Sequence, residues 1–240
     1  MKFLKLLFAS VSTLLFASVV NADSITVVSW GGAYTKSQVE AYHKPWQNKT
    51  GNQVVSEDYS GGLAEVKAQV ESGNVTWDVV DVELSDALQG CDEGILETID
   101  PSTLPAAPDG TPATKDFMDG ALQECAVGNI VWSTIYAYDK TKFSTPPTTM
   151  ADFFNVEKFP GKRGMRKLGK AMLEMALMGD GVPAEEVYDL LGTEAGVQRA
   201  FAKLDTIKDH VVWWEAGAQP PQLLADGEVT MTIVWNGRIF

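Results

Sequence analysis

The sequence predicts an α/β protein of two lobes joined by two chain crossings. Three observations carry this expectation. Between Ile25 and Leu84, short β-branched runs alternate with stretches of helical period, the pattern of a parallel sheet with helices on its faces. A proline-rich connection then separates this set from a second one, which opens on a strongly apolar strand. Finally, 240 residues with 45% apolar and 21% charged side chains suffice for one large domain or two small ones with a real core. They fall outside the disordered and fibrous classes.

The elements follow in order. Ile25 to Ser29 is a β-branched run that breaks at Gly31-Gly32. Behind it Val39, Tyr42 and Trp46 recur at i, i+3 and i+7, the helical period, and Pro45 is expected to kink or shorten that helix. Gln53 to Asp58 reads as a second strand with the loop Tyr59-Ser60-Gly61-Gly62. Leu63 to Ser72 is helical, with Leu63, Val66 and Val70 on one face. Asp78 to Val82 is a third strand, and a short helix starts at Leu84. Asp100 to Thr114 holds Pro101, Pro105, Pro108 and Pro112 and is a surface connection. Ile130 to Tyr138 is an apolar strand containing Trp132, and Met150 to Phe154 is a short helix after Pro146-Pro147. From Gly169 helices dominate, and Val197, Ala200, Phe201 and Leu204 repeat helically behind Thr193, an N-cap with Glu194 in the first turn. Val211 to Trp214 and Thr230 to Val234 are strands, separated by a helix over Gln219 to Asp226. Crossings near Thr134 and Trp235 put a first lobe at 23–133, a second at 134–233, and the start of a return crossing at 234–240.

The N-terminus sets the compartment. Lys2 and Lys5 precede a stretch from Leu6 to Val20 that runs 15 residues without a charge, and Val20-Asn21-Ala22 offers small residues where a signal peptidase reads. This is a secretory signal peptide over 1–22, too short for the roughly 20 apolar residues of a spanning helix. The mature chain is expected to be exported and not inserted in a membrane. Lys and Arg number 19 against 32 Asp and Glu, a formal charge of −13. Loss of Lys2 and Lys5 makes it −15. Such a balance excludes nucleic acid as partner and argues against anionic lipid, leaving a small molecule. Cys91 and Cys125 are the only cysteines, and an even pair in an oxidising compartment favours a disulfide over two separate buried thiols. With only His43 and His210 as histidines, neither at ligand spacing from a cysteine, no metal site is expected.

Catalytic motifs are missing: the chain has no G-x-S-x-G elbow, no H-E-x-x-H and no Walker loop. Gly179 to Ala184 spells G-x-G-x-x-A, but it follows a helix, and Pro183 removes an amide that a phosphate would need. Acidic residues are numerous enough for a hydrolase, yet no spacing singles out a pair. Tryptophan stands out instead, at the loop-facing ends of strands: Trp30, Trp132, Trp213, Trp214 and Trp235. Carboxyl ends of parallel strands line ligand crevices, and Trp there can cover alkyl chains or hold a cation over its face. Each Trp alone fits a core position as well. Gly31-Gly32 and Gly61-Gly62 allow close backbone approach. Each alone is a tight turn; together with Trp30 they read as a crevice.

Val28-Ser29-Trp30-Gly31-Gly32 and Trp77-Asp78-Val79-Val80 resemble the start of bacterial extracellular solute-binding proteins of the polyamine (spermidine/putrescine) ABC transporter type. So do Ala151-Asp152-Phe153-Phe154, Phe159-Pro160-Gly161-Lys162-Arg163-Gly164, Leu224 to Val229, and Trp235-Asn236-Gly237. The resemblance runs from about Ser24 to the end of the chain. It implies a type II-like periplasmic-binding-protein fold, C-terminally truncated here because family members continue beyond this point. It also implies a monomeric periplasmic receptor without cofactor or catalysis, which closes over a small amine-type solute and delivers it to an ABC-type membrane permease. A secreted hydrolase of a small molecule is the rival class.

Two positions depart from that pattern. The carboxylate expected just after the final W-x-G is Arg238, and Met165-Arg166-Lys167 stands where the family shows acidic residues. Glu83, Glu215 and Asp81 remain as ammonium partners. Arg166 otherwise belongs to a basic run with Lys162, Arg163, Lys167 and Lys170, which reads as a hydrated face. A buried arginine pairs with carboxylate and repels a diamine, so a carboxylated or zwitterionic solute, amino-acid-like or an organic acid, competes with a polyamine. The expected ligand set is Trp30, Gly31, Gly32, Gly61, Glu83, Trp132, Arg166, Trp214, Glu215, Trp235 and Arg238.

Overall fold

A computed structural model describes residues 23–239; the expected signal peptide lies outside them. The first sheet is all parallel, in the order β2-β1-β3, from β1 (Ser24–Ser29), β2 (Gln53–Asp58) and β3 (Val79–Val80). Helix α1 (Gly32–Gln38) passes through a π-helical turn, Val39–His43, into α2 (Lys44–Thr50), with Pro45 in the first turn of α2. The expected interruption therefore takes the form of a wider turn, which accommodates the missing proline N–H. Helices α3 (Ala64–Ser72) and α4 (Leu84–Asp92) complete the alternation.

The excursion that follows carries only a 3-10 turn at Pro101–Thr103 and the short α5 (Ala113–Asp116). A Cys91–Cys125 disulfide, with Cα atoms 5.6 Å apart, ties its far end to the last turn of α4. The apolar strand expected from Ile130 is confined to β4 (Thr134–Tyr138), while Ile130, Val131 and Trp132 remain largely exposed. Apolar character alone did not supply the pairing partner a strand requires.

The second sheet has the order β4-β7-β5-β6, with β5 (Arg163–Arg166), β6 (Val211–Trp214) and β7 (Met231–Trp235) parallel and β4 antiparallel to β7. Helices α6 (Met150–Phe154), α7 (Met172–Gly179), α8 (Val187–Leu191), α9 (Glu194–Asp205) and α10 (Gln219–Ala225) surround it. Thr149 closes a capping box on α6, and Thr193 accepts from the Gly196 N–H at the start of α9. The core joins Phe153, Phe154, Met165, Leu177, Ile207, Met231 and Ile233. Strand β5 was unexpected: it lies inside the basic run, yet all four of its residues are buried. Arg163 is tolerated there because its guanidinium donates to the carbonyls of Phe153 (2.7 Å), Gly161 (2.8 Å) and Phe159 (2.6 Å). It is not part of a hydrated face.

The chain passes between the two sheets on adjacent strands. Thr134 at the start of β4 pairs with Trp235 at the end of β7. Beside them Ser133 and Asn236 exchange hydrogen bonds, Ser133 N–H to the Asn236 side chain and Asn236 N–H to the Ser133 carbonyl, each 3.0 Å. Among the described residues no helix is long and apolar enough to cross a membrane, and no cluster of side chains could hold a metal ion.

Candidate solute-binding site

Parallel strands deliver their following loops to one edge of each sheet, and here the two edges face each other. Trp30 follows β1, Tyr59 to Gly62 follow β2, Glu83 precedes α4, Arg166 ends β5, and Trp235 ends β7. The Trp235 ring is the hub of an aromatic cluster. Trp30 and Trp214 each lie 5.6 Å from it in near-perpendicular edge contacts, and Trp132 lies 6.0 Å away. On its other side Trp30 packs against Tyr59 at 5.4 Å. Gly61 has φ +86°, and a Cβ there would overlap the Trp30 ring. Glycine is needed at this position both for its backbone angle and for the ring lying over it.

Arg166 sits at the centre, 6% exposed. Its guanidinium carbon is 5.5 Å from the Trp30 ring centroid and 5.1 Å from that of Trp235, so the charge lies between two π faces. It donates to Glu83 Oε1 at 3.3 Å and to the Ser60 carbonyl at 3.1 Å. Lys170 reaches the other Glu83 oxygen at 2.7 Å and Asp86 at 2.9 Å. Burial depresses the Lys170 ammonium, but its bonds to Glu83 and Asp86 outweigh that and hold it above the ordinary lysine range. Burial, reinforced by the nearby Asp81 charge, raises the Tyr59 phenol, so it stays protonated and donates to the Asp81 carbonyl. A cleft of about 290 Å³ opens over these groups, walled by Trp30, Ser60, Gly61, Arg166, Lys170 and Glu215. A chamber of about 20 Å³, lined among others by Trp132, Trp214 and Trp235, shares Glu83, Arg166 and Lys170 with it.

Eight of the eleven expected residues line these two spaces and Gly31, Gly32 and Arg238 line neither, and several stand differently from the expectation. Trp214 is 1% exposed and packs behind Trp235, so it is no wall of the open cleft. Trp213 faces solvent instead. Glu215 is a rim residue, its side chain 65% exposed and paired with Lys167 at 3.5 Å. Glu83 is no free ammonium partner, because both its oxygens are taken by cations. Asp81 is occupied too, accepting from Ser29 and Gln38. Arg238 meets no carboxylate: its guanidinium donates to the carbonyls of Gly31 (2.9 Å) and Trp30 (3.0 Å), and burial lowers its pKa. Those two bonds fasten the loop after β1, and a Cβ at Gly32 (φ +62°) would lie 2.9 Å from the same guanidinium. Arg166, grouped by sequence with solvated lysines, is the buried cation at the site's centre. Lys170, Asp86 and Ser60 were not anticipated as site residues. The spacing of Glu83 and Asp86 at i, i+3 at the start of α4 was a readable sign of a shared carboxylate face.

The geometry is thus an aromatic cleft centred on a buried arginine, built from strand ends of a parallel and a mixed sheet. The family described as bacterial extracellular solute-binding protein matches residues 39–240, and the chain belongs to that family. It is 51% identical over 223 residues to a gamma-aminobutyric acid-binding protein of Pseudomonas aeruginosa, covering 93% of this chain and 61% of the relative. Among solved structures it is similar to MotA of A. tumefaciens B6 in complex with glucopine, at 37% identity and a TM-score of 0.81, covering 90% of this chain and 64% of that one. It is similar also to a GABA receptor, at 35% identity and a TM-score of 0.72, with 90% and 64% covered. The chain thus spans less than two thirds of the length of these relatives. A spermidine/putrescine transporter substrate-binding protein of Streptococcus pneumoniae, 14% identical with a TM-score of 0.58, shares the fold alone. The resemblance read from the sequence therefore holds for the family, while the relatives at 51%, 37% and 35% identity are not of the polyamine type.

Proposed function

We propose that this chain is the solute receptor of an ABC-type importer, working in the periplasm after removal of residues 1–22. It captures a small zwitterion carrying an ammonium and a carboxylate, such as gamma-aminobutyrate. The lobes at 23–133 and 134–233 hold the solute between them and present it, unchanged, to a membrane permease. One observation carries the choice of ligand: the cation buried between Trp30 and Trp235 is an arginine, Arg166. A guanidinium there has donors to spare for a carboxylate, whereas a diamine would bring a second positive charge against it. The two aromatic faces cover a short alkyl chain, and Glu215 on the exposed rim of the cleft supplies negative charge for the ammonium. The names of the relatives support the same reading, and the amino-acid-like solute takes precedence over the polyamine.

Thermal shift with gamma-aminobutyrate, putrescine and spermidine tests this reading. The zwitterion at a hundred times its Kd stabilises the protein by about 2.7 kcal/mol and is recovered chemically intact; neither polyamine does so. Stabilisation by a polyamine alone, or a time-dependent product from the zwitterion, refutes it.

A further inference from the structure

The Trp214 indole N–H is buried and meets no acceptor among the described residues. An unmade buried hydrogen bond costs about 1–3 kcal/mol, so such a group calls for a partner. Trp214 lines the chamber of about 20 Å³, a volume that admits one water or one oxygen of a larger group and no more. Around the same chamber stand the Arg166 and Lys170 side chains and the start of α7, its N-cap Ala171 and first residue Met172. Ala171 is the single non-glycine residue with positive φ among those described, at +68°. Cations, an indole donor and the amino end of a helix together form a surface that favours an anionic oxygen. Glu83 is the one carboxylate on the chamber, and its two oxygens are already engaged by Arg166 and Lys170.

We infer that the chamber is the seat of one carboxylate oxygen of the solute, with the Trp214 N–H as its donor. The solute lies in the larger cleft, its carboxylate meets Arg166 where the two spaces share that side chain, and one oxygen passes on to Trp214. Trp214 is then a specificity-determining residue that reports on the carboxylate and is indifferent to the ammonium. This rests on the proposed zwitterion reading and deepens it.

Titration calorimetry on the full chain tests the inference. The probes are gamma-aminobutyrate and n-butylamine, which has the same chain length without the carboxylate. The decisive variant carries β-(3-benzothienyl)alanine at 214, which keeps the ring shape and replaces N–H by sulfur; Trp214→Phe is the simpler companion. Loss of one hydrogen bond to a charged group weakens gamma-aminobutyrate binding about 10- to 100-fold. Any weak binding of n-butylamine stays unchanged, and in the wild type the Trp214 indole proton resonance moves downfield with gamma-aminobutyrate only. Unchanged gamma-aminobutyrate affinity in the isosteric variant overturns the inference while leaving the receptor reading intact. Failure of the wild type to bind gamma-aminobutyrate at all overturns both.

Discussion

Removing Glu83 should destabilise the protein more than removing Arg166, although the two form one ion pair. Glu83 is 9% exposed and divides its oxygens between Arg166 at 3.3 Å and Lys170 at 2.7 Å. Glu83→Ala leaves Arg166 without a carboxylate, while Lys170 keeps Asp86 at 2.9 Å. Taking away one partner of a buried pair costs about 3–5 kcal/mol. The Ser60 carbonyl and the two tryptophan faces still attend Arg166, which puts the expectation near the lower end, about 3 kcal/mol. In Arg166→Leu the remaining charge is Glu83, and Lys170 still satisfies it. The loss is then one bond to a carbonyl, about 1 kcal/mol, plus the cation–π contacts, about 1–2 kcal/mol. Leucine offsets part of this by burying apolar surface, so about 1–2 kcal/mol should remain. Urea unfolding of wild type and both variants at neutral pH, with matched m-values, reads the difference as midpoints. Equal or greater loss in Arg166→Leu would refute the reasoning, since Lys170 would not then be the second partner that spares Glu83. A Glu83→Ala protein within about 0.5 kcal/mol of wild type, the range of ordinary surface changes, would show that the pair does not hold Arg166 in place.

Three further outcomes are expected. Gly61→Ala costs at least about 1–2 kcal/mol from its positive φ alone and displaces the Trp30 ring, visible as a changed near-ultraviolet dichroism spectrum; an unaltered spectrum and midpoint would be the contrary result. Arg238→Met frees the loop carrying Trp30, and because Arg238 bonds to backbone carbonyls, calorimetry should show the same fold-loss for gamma-aminobutyrate and for n-butylamine. Loss confined to the zwitterion would instead make Arg238 a carboxylate ligand. The Cys91→Ser, Cys125→Ser double variant, which opens a loop with a sequence separation of 34, loses up to about 3.8 kcal/mol in the chain-entropy account. Wild type in non-reducing denaturant shows no titratable thiol, and two thiols would contradict the bridge.

The parallel first sheet was legible in the sequence because its signals are local. Val27 and Val28 in β1, and the β-branched start of β2, declare themselves within a few residues, and Thr193 announces α9 by its capping chemistry. The gathering of Trp30 and Gly61 was legible at one remove, since strand ends of one parallel sheet share an edge whatever their separation along the chain; Trp235 joins them from the second sheet. The basic run from Lys162 to Lys170 was not. Local charge density says water, and for Lys162 and Lys167 water is where the side chains are. Arg163 is buried because the end of α6 and the turn before β5 bring three carbonyls to its fork, and Arg166 because Glu83, far away in sequence, reaches it from the N-cap of α4. Arg238 was placed at the site by its position in a motif, but only the fold showed it bonding to the loop after β1. Periodicity records which face of an element is apolar, and that is settled within the element itself. Whether a charge can leave water depends on the partners that other elements carry to it, and these meet only in the tertiary structure.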